Sequence, residues 1–203
     1  MEKYIWSLDI STTNIGSALW DINGKLIELK HLELKISKDV SVPDRDIHKA
    51  EIFRKYAEEY KKRIFNELNG EIEHIIIEAP LMMSNNANTA SLLLGFNGIC
   101  RYILFDIFNK YPMKISVHES RKLFLSELVS LKKRKGKMVE VLSFPEEYKK
   151  NKKYYIWKKV AKLEPQIEWF YKRNSDQPRD ICYDLSDSYT VGYAFFVKQG
   201  ILK

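Results

Sequence analysis

The sequence has few of the features that mark secreted and membrane proteins. Its two cysteines, Cys100 and Cys182, are too few for a disulfide framework and form no CxxC pair. No apolar run approaches the roughly 20 residues that span a bilayer, and the first residues lack the layout of a signal peptide. We therefore expect a cytoplasmic protein with buried thiols and no membrane partner.

Length and charge suggest one domain with a polyanionic partner. A chain of 203 residues is enough for one well-buried domain and marginal for two. The formal charge is +7, and all of the excess lies in 132–162, where twelve Lys and Arg stand against three Glu. We call this stretch the basic segment. Because Tyr148, Tyr154, Tyr155 and Trp157 are interleaved with its lysines, it could be a nucleic-acid surface or a solvated loop.

Two predicted strands end in an acidic residue. Residues 4–10 predict a first strand that ends near Asp9. Three isoleucines at 75–77 are typical of a strand buried on both faces. This strand ends at Glu78, because Pro80 cannot donate a hydrogen bond to a neighbouring strand. Either acid could simply point into water, or it could serve as a metal ligand or an acid–base group.

The rest of the chain predicts a mixed α/β fold. Strands at 15–22 and 26–36 flank Asn23-Gly24, a pair that indicates a type I′ hairpin turn, and a change of apolar parity predicts a bulge near Lys30 and His31. Further predicted elements are helices at about 50–68, 91–109, 119–129 and 154–161, and a strand at 114–117. The helix at 91–109 is apolar nearly all round, so we expect it to be buried.

A last helix is predicted over about 180–197, and three acids share one of its faces. Asp180, Asp184 and Asp187 are spaced by four and three residues. Like charges at these spacings repel each other, so the arrangement is either an ordinary acidic first turn or a place for a cation. If the two acid-ending strands are neighbours, all three acidic groups converge. Carboxylate oxygens are the ligands that hard divalent ions prefer.

Three stretches together resemble the RuvC-type Holliday junction resolvases of the ribonuclease H-like superfamily, in particular phage- or virus-encoded members. They are 7–16 around Asp9, 76–98 around Glu78, and 184–188 with its acid-x-x-acid pair. The resemblance covers about 4–117 and 180–197. It implies a five-stranded mixed sheet, antiparallel in strands 1–3 and then parallel, flanked by helices. It also implies a single domain over 1–203, with a basic insertion at about 132–175.

The resemblance assigns roles to particular residues. Asp9, Glu78, Asp184 and Asp187 would be catalytic metal ligands, with Asp180 as a substitute for Asp184. The family carries a lysine near the metals, for which Lys158 is the candidate and Lys137 the second choice. Where the family usually has an aromatic wedge, this chain has Leu81. The expected DNA-binding residues are Leu81, Lys132, Lys133, Arg134, Lys135, Lys137 and Trp157.

The activity implied is hydrolysis of branched DNA with two Mg²⁺ ions per site, or Mn²⁺ in their place, leaving a 5′-phosphate and a 3′-hydroxyl. The family acts as a homodimer, for which the helix at 91–109 could supply the interface. A viral member would work in the host-cell cytoplasm. Two other functions stay open: an actin-like or sugar-kinase-like ATPase, although Ser11 stands where that turn needs Gly, and a non-catalytic protein that binds branched DNA.

Overall fold

A mixed five-stranded sheet lies at the centre of the molecule. The computed structural model describes residues 1–41, 44–80, 87–134 and 136–203. The sheet order is β3-β2-β1-β4-β5, antiparallel across the first three strands and parallel from β1 to β5, as predicted. In chain order the elements are β1 Glu2–Ile10, β2 Asn14–Asp21, β3 Leu26–Glu33, α1 Arg45–Glu67, β4 Gly70–Ala79, α2 Ala87–Phe108, β5 Met113–Ser116, α3 Val117–Phe124, β6 Val129–Arg134, β7 Lys137–Leu142, α4 Lys152–Leu163 and α5 Asp180–Lys198.

The turn between β2 and β3 differs from the prediction. A type I′ turn needs positive φ at both central residues, but in this turn only Gly24 has a positive φ, of 83°. The Asp21 carboxylate accepts hydrogen bonds from the amides of Asn23 and Lys25, which stabilises a longer loop. The bulge is also displaced from the predicted site. It lies at Ile27, opposite the register shift between Leu19 and Trp20.

Helices cover both faces of the sheet, and the three isoleucines at 75–77 on β4 contact helices on each of these faces. Ile75 and Ile77 pack with α1 and α2 on one face, whereas Ile76 packs with α5 on the other. All three are essentially inaccessible to solvent, so the prediction of a strand buried on both faces is confirmed. Because side chains alternate along a strand, Glu78 follows Ile76 and belongs to the α5 face.

Small residues let α5 lie very close to the sheet. A Cβ atom on Gly192 would stand 2.3 Å from the Trp20 indole nitrogen and 2.5 Å from Ser7 Oγ. Ser7 Oγ accepts a hydrogen bond from the indole at 3.0 Å and donates one to the Ser188 carbonyl at 2.9 Å. Glycine at this position, together with the buried serine hydroxyl, therefore fixes the height of α5 above β1 and β2.

Helix α2 is less buried than its composition suggested. Phe96 and Leu104 pack into the core, but Leu92 and Tyr102 are 56% and 64% exposed. By length and mean hydropathy (1.4), Ala90–Phe108 also passes as a possible membrane span, with 28% of it buried. The expectations of a helix buried all round and of no apolar run of spanning length were therefore both wrong.

The basic segment folds into defined elements. Strands β6 and β7 form a two-stranded antiparallel hairpin, and α4 packs Ile156 and Val160 against the core beside α5. The predicted helix at 119–129 was wrong beyond residue 124, because the hairpin already begins at Val129. Helix α3 ends at Phe124, a 3-10 turn follows at Ser126–Leu128, and β6 begins at Val129.

Candidate active site

Asp9 and Glu78 meet at the ends of two neighbouring parallel strands. The register of β1 and β4 pairs Leu8 with Ile77, so the next residue on each strand is an acid. Both acids belong to the α5 face, since they follow Ser7 and Ile76 by two residues. Their side chains are within hydrogen-bonding contact of each other, and each acts on the pKa of the other. The structure thus brings together the two acids that the sequence placed at strand ends.

The carboxyl pair is energetically unfavourable in its charged form. Burial, followed by the charge of Asp187, raises the pKa of Asp9 to about 7. Burial and the charges of Asp9 and Asp187 raise the pKa of Glu78 well above its usual range. Two carboxylates in contact cannot both ionise without a compensating cation. The site therefore retains a proton at neutral pH or takes up positive charge from elsewhere.

Asp184 reaches the site because α5 crosses β2 at Gly16. A Cβ atom at that glycine would stand 2.0 Å from the Asp184 carbonyl oxygen, so a larger residue would push the helix away. The carboxylate lies 3.3 Å from Nε2 of His31 on β3. It also contributes to the raised pKa of Asp9. These contacts favour Asp184 over Asp180 as the site residue.

Asp187 is held by two cations. Its side chain is 5% exposed, with Arg121 Nη2 at 3.1 Å from Oδ1 and Lys153 Nζ at 2.9 Å from Oδ2. Burial lowers the pKa of Lys153, but the charges of Asp187, Asp9 and Asp184 raise it overall, so the amine stays protonated. A site with four carboxylates therefore contains two fixed positive groups of its own.

The basic residues of the site are not those expected from the sequence. The ammonium group of Lys158 lies 3.2 Å from the Tyr148 hydroxyl and over that ring, and within the described part of the chain it forms no ion pair with the site acids. Lys153 points to the acids instead. It lies in the first turn of α4, five residues before Lys158 and more than one helical turn away from it. Arg121 and His31 were missed. For Arg121, the sequence offered one signal, namely its place shortly after the fifth strand.

The donor chemistry fits a hard divalent cation. Asp9 and Glu78 offer partly buried carboxylate oxygens whose mutual repulsion a cation would relieve. Across the described ranges, no three His, Cys, Asp or Glu side chains are already arranged to hold a metal ion. In the structure Asp184 is paired with His31, and Asp187 with Arg121 and Lys153. A complete ligand set would require one of these aspartates to leave its present partner.

The predicted DNA-binding residues do not form a single group. Lys132, Lys133 and Lys137 are exposed on the β6–β7 hairpin, and we call them the hairpin lysines. Trp157 is 5% exposed and packs edge-on against Trp169 and Tyr171. It is a core residue and cannot stack on DNA, because α4 turns this face inward. The predictions for Leu81, Lys135 and the side chain of Arg134 lie outside the described residues.

Solved structures show the same arrangement of strands and helices. RuvC of Thermus thermophilus in complex with a Holliday junction substrate superposes with a TM-score of 0.56 at 10% identity, over 98% of each chain. The chain has a RuvC-like fold. A second structure of that RuvC gives 0.52 at 11% identity, over 98% of both chains. The yeast mitochondrial Holliday junction resolvase Ydc2 gives 0.54 at 11% identity, over 97% of this chain and 79% of that one.

The likeness concerns the fold and not the sequence. No protein-family model matches the chain, and no similar sequence is found among curated proteins. The RuvC-like fold explains why the acids of β1, β4 and α5 converge, because the strand order puts β1 beside β4 and α5 across both. The chemistry of the site therefore depends on its own residues.

Proposed function

We propose that this protein is a divalent-metal-dependent endonuclease that cuts branched DNA, with four-way junctions as its preferred substrate. The observation that carries the proposal is the convergence of Asp9 and Glu78 with Asp184 and Asp187 on a RuvC-like fold. A partly buried acidic cluster with raised carboxyl pKa values lowers the stability of the fold, and such clusters are typical of functional sites. The hairpin lysines add a surface for a polyanionic substrate.

The four acids would hold the cations, Mg²⁺ or Mn²⁺. When bound, such ions supply a hydroxide-like water and neutralise the leaving 3′ oxygen, so that the products carry a 5′-phosphate and a 3′-hydroxyl. Asp9 and Glu78 give the rigid part of the ligand set, because both are fixed at strand ends. Asp184 and Asp187 lie on a helix and are paired with His31, Arg121 and Lys153, so at least one of them would leave its partner to join the ligand set.

Arg121 and Lys153 would also act on the substrate. Nε of Arg121 is buried and has no hydrogen-bond partner among the described residues. An unpaired buried donor is costly, and a phosphate oxygen at the acids would satisfy it. Lys153 has 49% of its side chain exposed, so it can reach both Asp187 and a phosphate. The two groups would then stabilise the negative charge that develops during cleavage.

A homodimer would place two such sites on one junction. Leu92, Gly95, Ile99 and Tyr102 form a stripe along α2 at helical spacing, and a Cβ atom on Gly95 would meet only open space. Small and apolar residues in such a stripe suit the same helix of a second copy. Sedimentation equilibrium should give a dimer mass for the wild type and a monomer mass for Ile99→Glu, and an unchanged mass would place the interface elsewhere.

Cleavage of three labelled DNAs tests the function. Four-way junction, fork and linear duplex are incubated with the protein, with and without Mg²⁺. We expect cutting of the junction only with the ion. We also expect a loss of at least about a hundredfold in Asp9→Asn and Glu78→Gln, on the scale seen when a metal site is disturbed. DNA binding should persist in both variants, because they remove negative charge.

Asp180→Asn is the matched control. Asp180 lies on α5 beside the site acids but is not among the charges that act on Asp9, so this variant should cut at a rate close to wild type. Metal-independent binding without cutting would support a non-catalytic DNA-binding protein. Saturable ATP binding without junction cutting would support the ATPase alternative. Either result would reject the nuclease proposal.

A further inference from the structure

The β6–β7 hairpin carries two exposed apolar side chains that the fold does not use. Leu131 is 64% exposed and Met138 is 60% exposed. The register pairs Lys133 with Met138 and Leu131 with Glu140, so Leu131 and Met138 lie diagonally on one face of the hairpin. Two large apolar groups side by side in water indicate a contact surface.

The base of the hairpin is fixed to the domain, and this holds the pair in a defined place. The Ser143 amide donates to the Leu128 carbonyl at 2.9 Å, and Leu142 packs against the core. On the same face as the apolar pair, Glu140 forms an ion pair with Lys122 of α3 at 3.1 Å. Lys122 directly follows Arg121, the residue that contacts Asp187. The ion pair between Glu140 and Lys122 therefore links the apolar face of the hairpin to α3, the helix that borders the acids.

The charges around the pair favour DNA as its occupant over another protein. Lys133 lies on the same face, between Leu131 and the hairpin tip, and Lys132 and Lys137 lie on the opposite face. All three are exposed. A strand pair with phosphate-binding lysines around exposed Leu and Met has the composition of elements that insert an apolar wedge between base steps.

We propose that the hairpin is a wedge, in which Leu131 and Met138 enter the branch point and separate stacked bases while the hairpin lysines hold the flanking phosphates. This rests on the proposed function, because a branch point is the place where the fewest stacking contacts must be broken. It gives the basic segment a second role beyond phosphate binding, namely to open the DNA next to the acids.

Fluorescence of 2-aminopurine at the branch point of a four-way junction tests the wedge. The full-length protein is mixed with this junction without divalent ions, so that no strand is cut. The wild type should raise the fluorescence, because an unstacked 2-aminopurine emits more strongly. Leu131→Thr/Met138→Thr should raise it little and bind the junction about tenfold more weakly, the scale of one lost stacking contact. Threonine keeps the preference for a strand, so the fold should be retained.

Three controls make the outcome specific. Affinity of the double variant for linear duplex, and its salt slope, should stay as in wild type, because no charge is removed. Ile27→Thr removes an apolar side chain that is 41% exposed on β3, an edge strand of the five-stranded sheet to which the hairpin does not belong, and it should change nothing. Lys132→Ala/Lys133→Ala should flatten the salt slope but keep the fluorescence rise of the bound complex.

An equal fluorescence rise in the double variant and the wild type would overturn the wedge. An equal loss of affinity for duplex and junction would also overturn it. A change of oligomeric mass in the double variant would overturn it as well, because it would make Leu131 and Met138 a protein contact. These outcomes are separate from the fate of the nuclease. Junction cutting with an unchanged fluorescence rise rejects the wedge alone, whereas a wedge signal without Mg²⁺-dependent cutting rejects the nuclease alone.

Discussion

The carboxyl pair at the strand ends should make the metal-free protein less stable as pH rises. Burial and neighbouring charge raise the pKa of Asp9 to about 7 and also raise that of Glu78. In the unfolded chain both groups ionise near pH 4. Between about pH 4 and pH 7 the folded state therefore binds more protons than the unfolded state. The free energy of unfolding must fall across this interval, and the contribution of Asp9 then levels off above about pH 7.

The size of this loss of stability follows from the pKa shift of Asp9. One pKa unit corresponds to about 1.4 kcal/mol, so Asp9 alone would lower the free energy of unfolding by up to about 4 kcal/mol. In a chain of this size, 1 kcal/mol moves Tm by about 2–4 °C. A divalent cation that binds only the folded site reverses the loss, by about 2.7 kcal/mol at a hundred times its Kd.

Thermal unfolding at a series of pH values, in EDTA and in Mg²⁺, measures this. Wild-type Tm in EDTA should drop between pH 5 and pH 8 by several degrees more than the Tm of Asp9→Asn, which has lost one of the titrating groups. Mg²⁺ should raise wild-type Tm most at high pH and should affect Asp9→Asn much less. The same pH dependence in the two proteins would refute a raised pKa of Asp9. Equal stabilisation of both by Mg²⁺ would refute a cation site at this residue.

Three further outcomes follow from contacts in the structure. Lys153→Met should reduce cleavage by at least about tenfold, since it removes a charge at Asp187, whereas Lys158→Met should leave the rate nearly unchanged; single-turnover rates decide between the two lysines. Trp157→Ala should destabilise the fold by about 3–5 kcal/mol in urea titration, as expected for a buried aromatic residue, and a weaker affinity for junctions at unchanged stability would contradict its assignment to the core. Gly192→Ala should lower stability by about 1–3 kcal/mol, because its Cβ would overlap Trp20 and Ser7; wild-type stability and cleavage would show that α5 can shift at no cost.

Much of the fold could be predicted from local pattern. The isoleucine run at 75–77 and the alternation at 4–10 reflect burial on the sheet, which the chain must satisfy wherever those strands lie. Helix α5 begins at Asp180 as expected, since its apolar stripe and acidic first turn are properties of the segment itself. Asp9 and Glu78 were identified for the same reason, because a carboxylate at the end of a buried strand is a local feature.

The rest depends on which elements meet, and sequence spacing does not contain that information. Lys153 and Lys158 are both basic residues of α4, and only the docking of α4 against α5 turns one toward Asp187 and the other toward Tyr148. Trp157 lies between them on the face that packs inward. Arg121 and His31 join the site because α3 and β3 border α5, at separations of 66 and 153 residues from the aspartates they contact. Local sequence pattern is enough to identify the acids that could form a site, whereas the cations beside them depend on which helices and strands pack together.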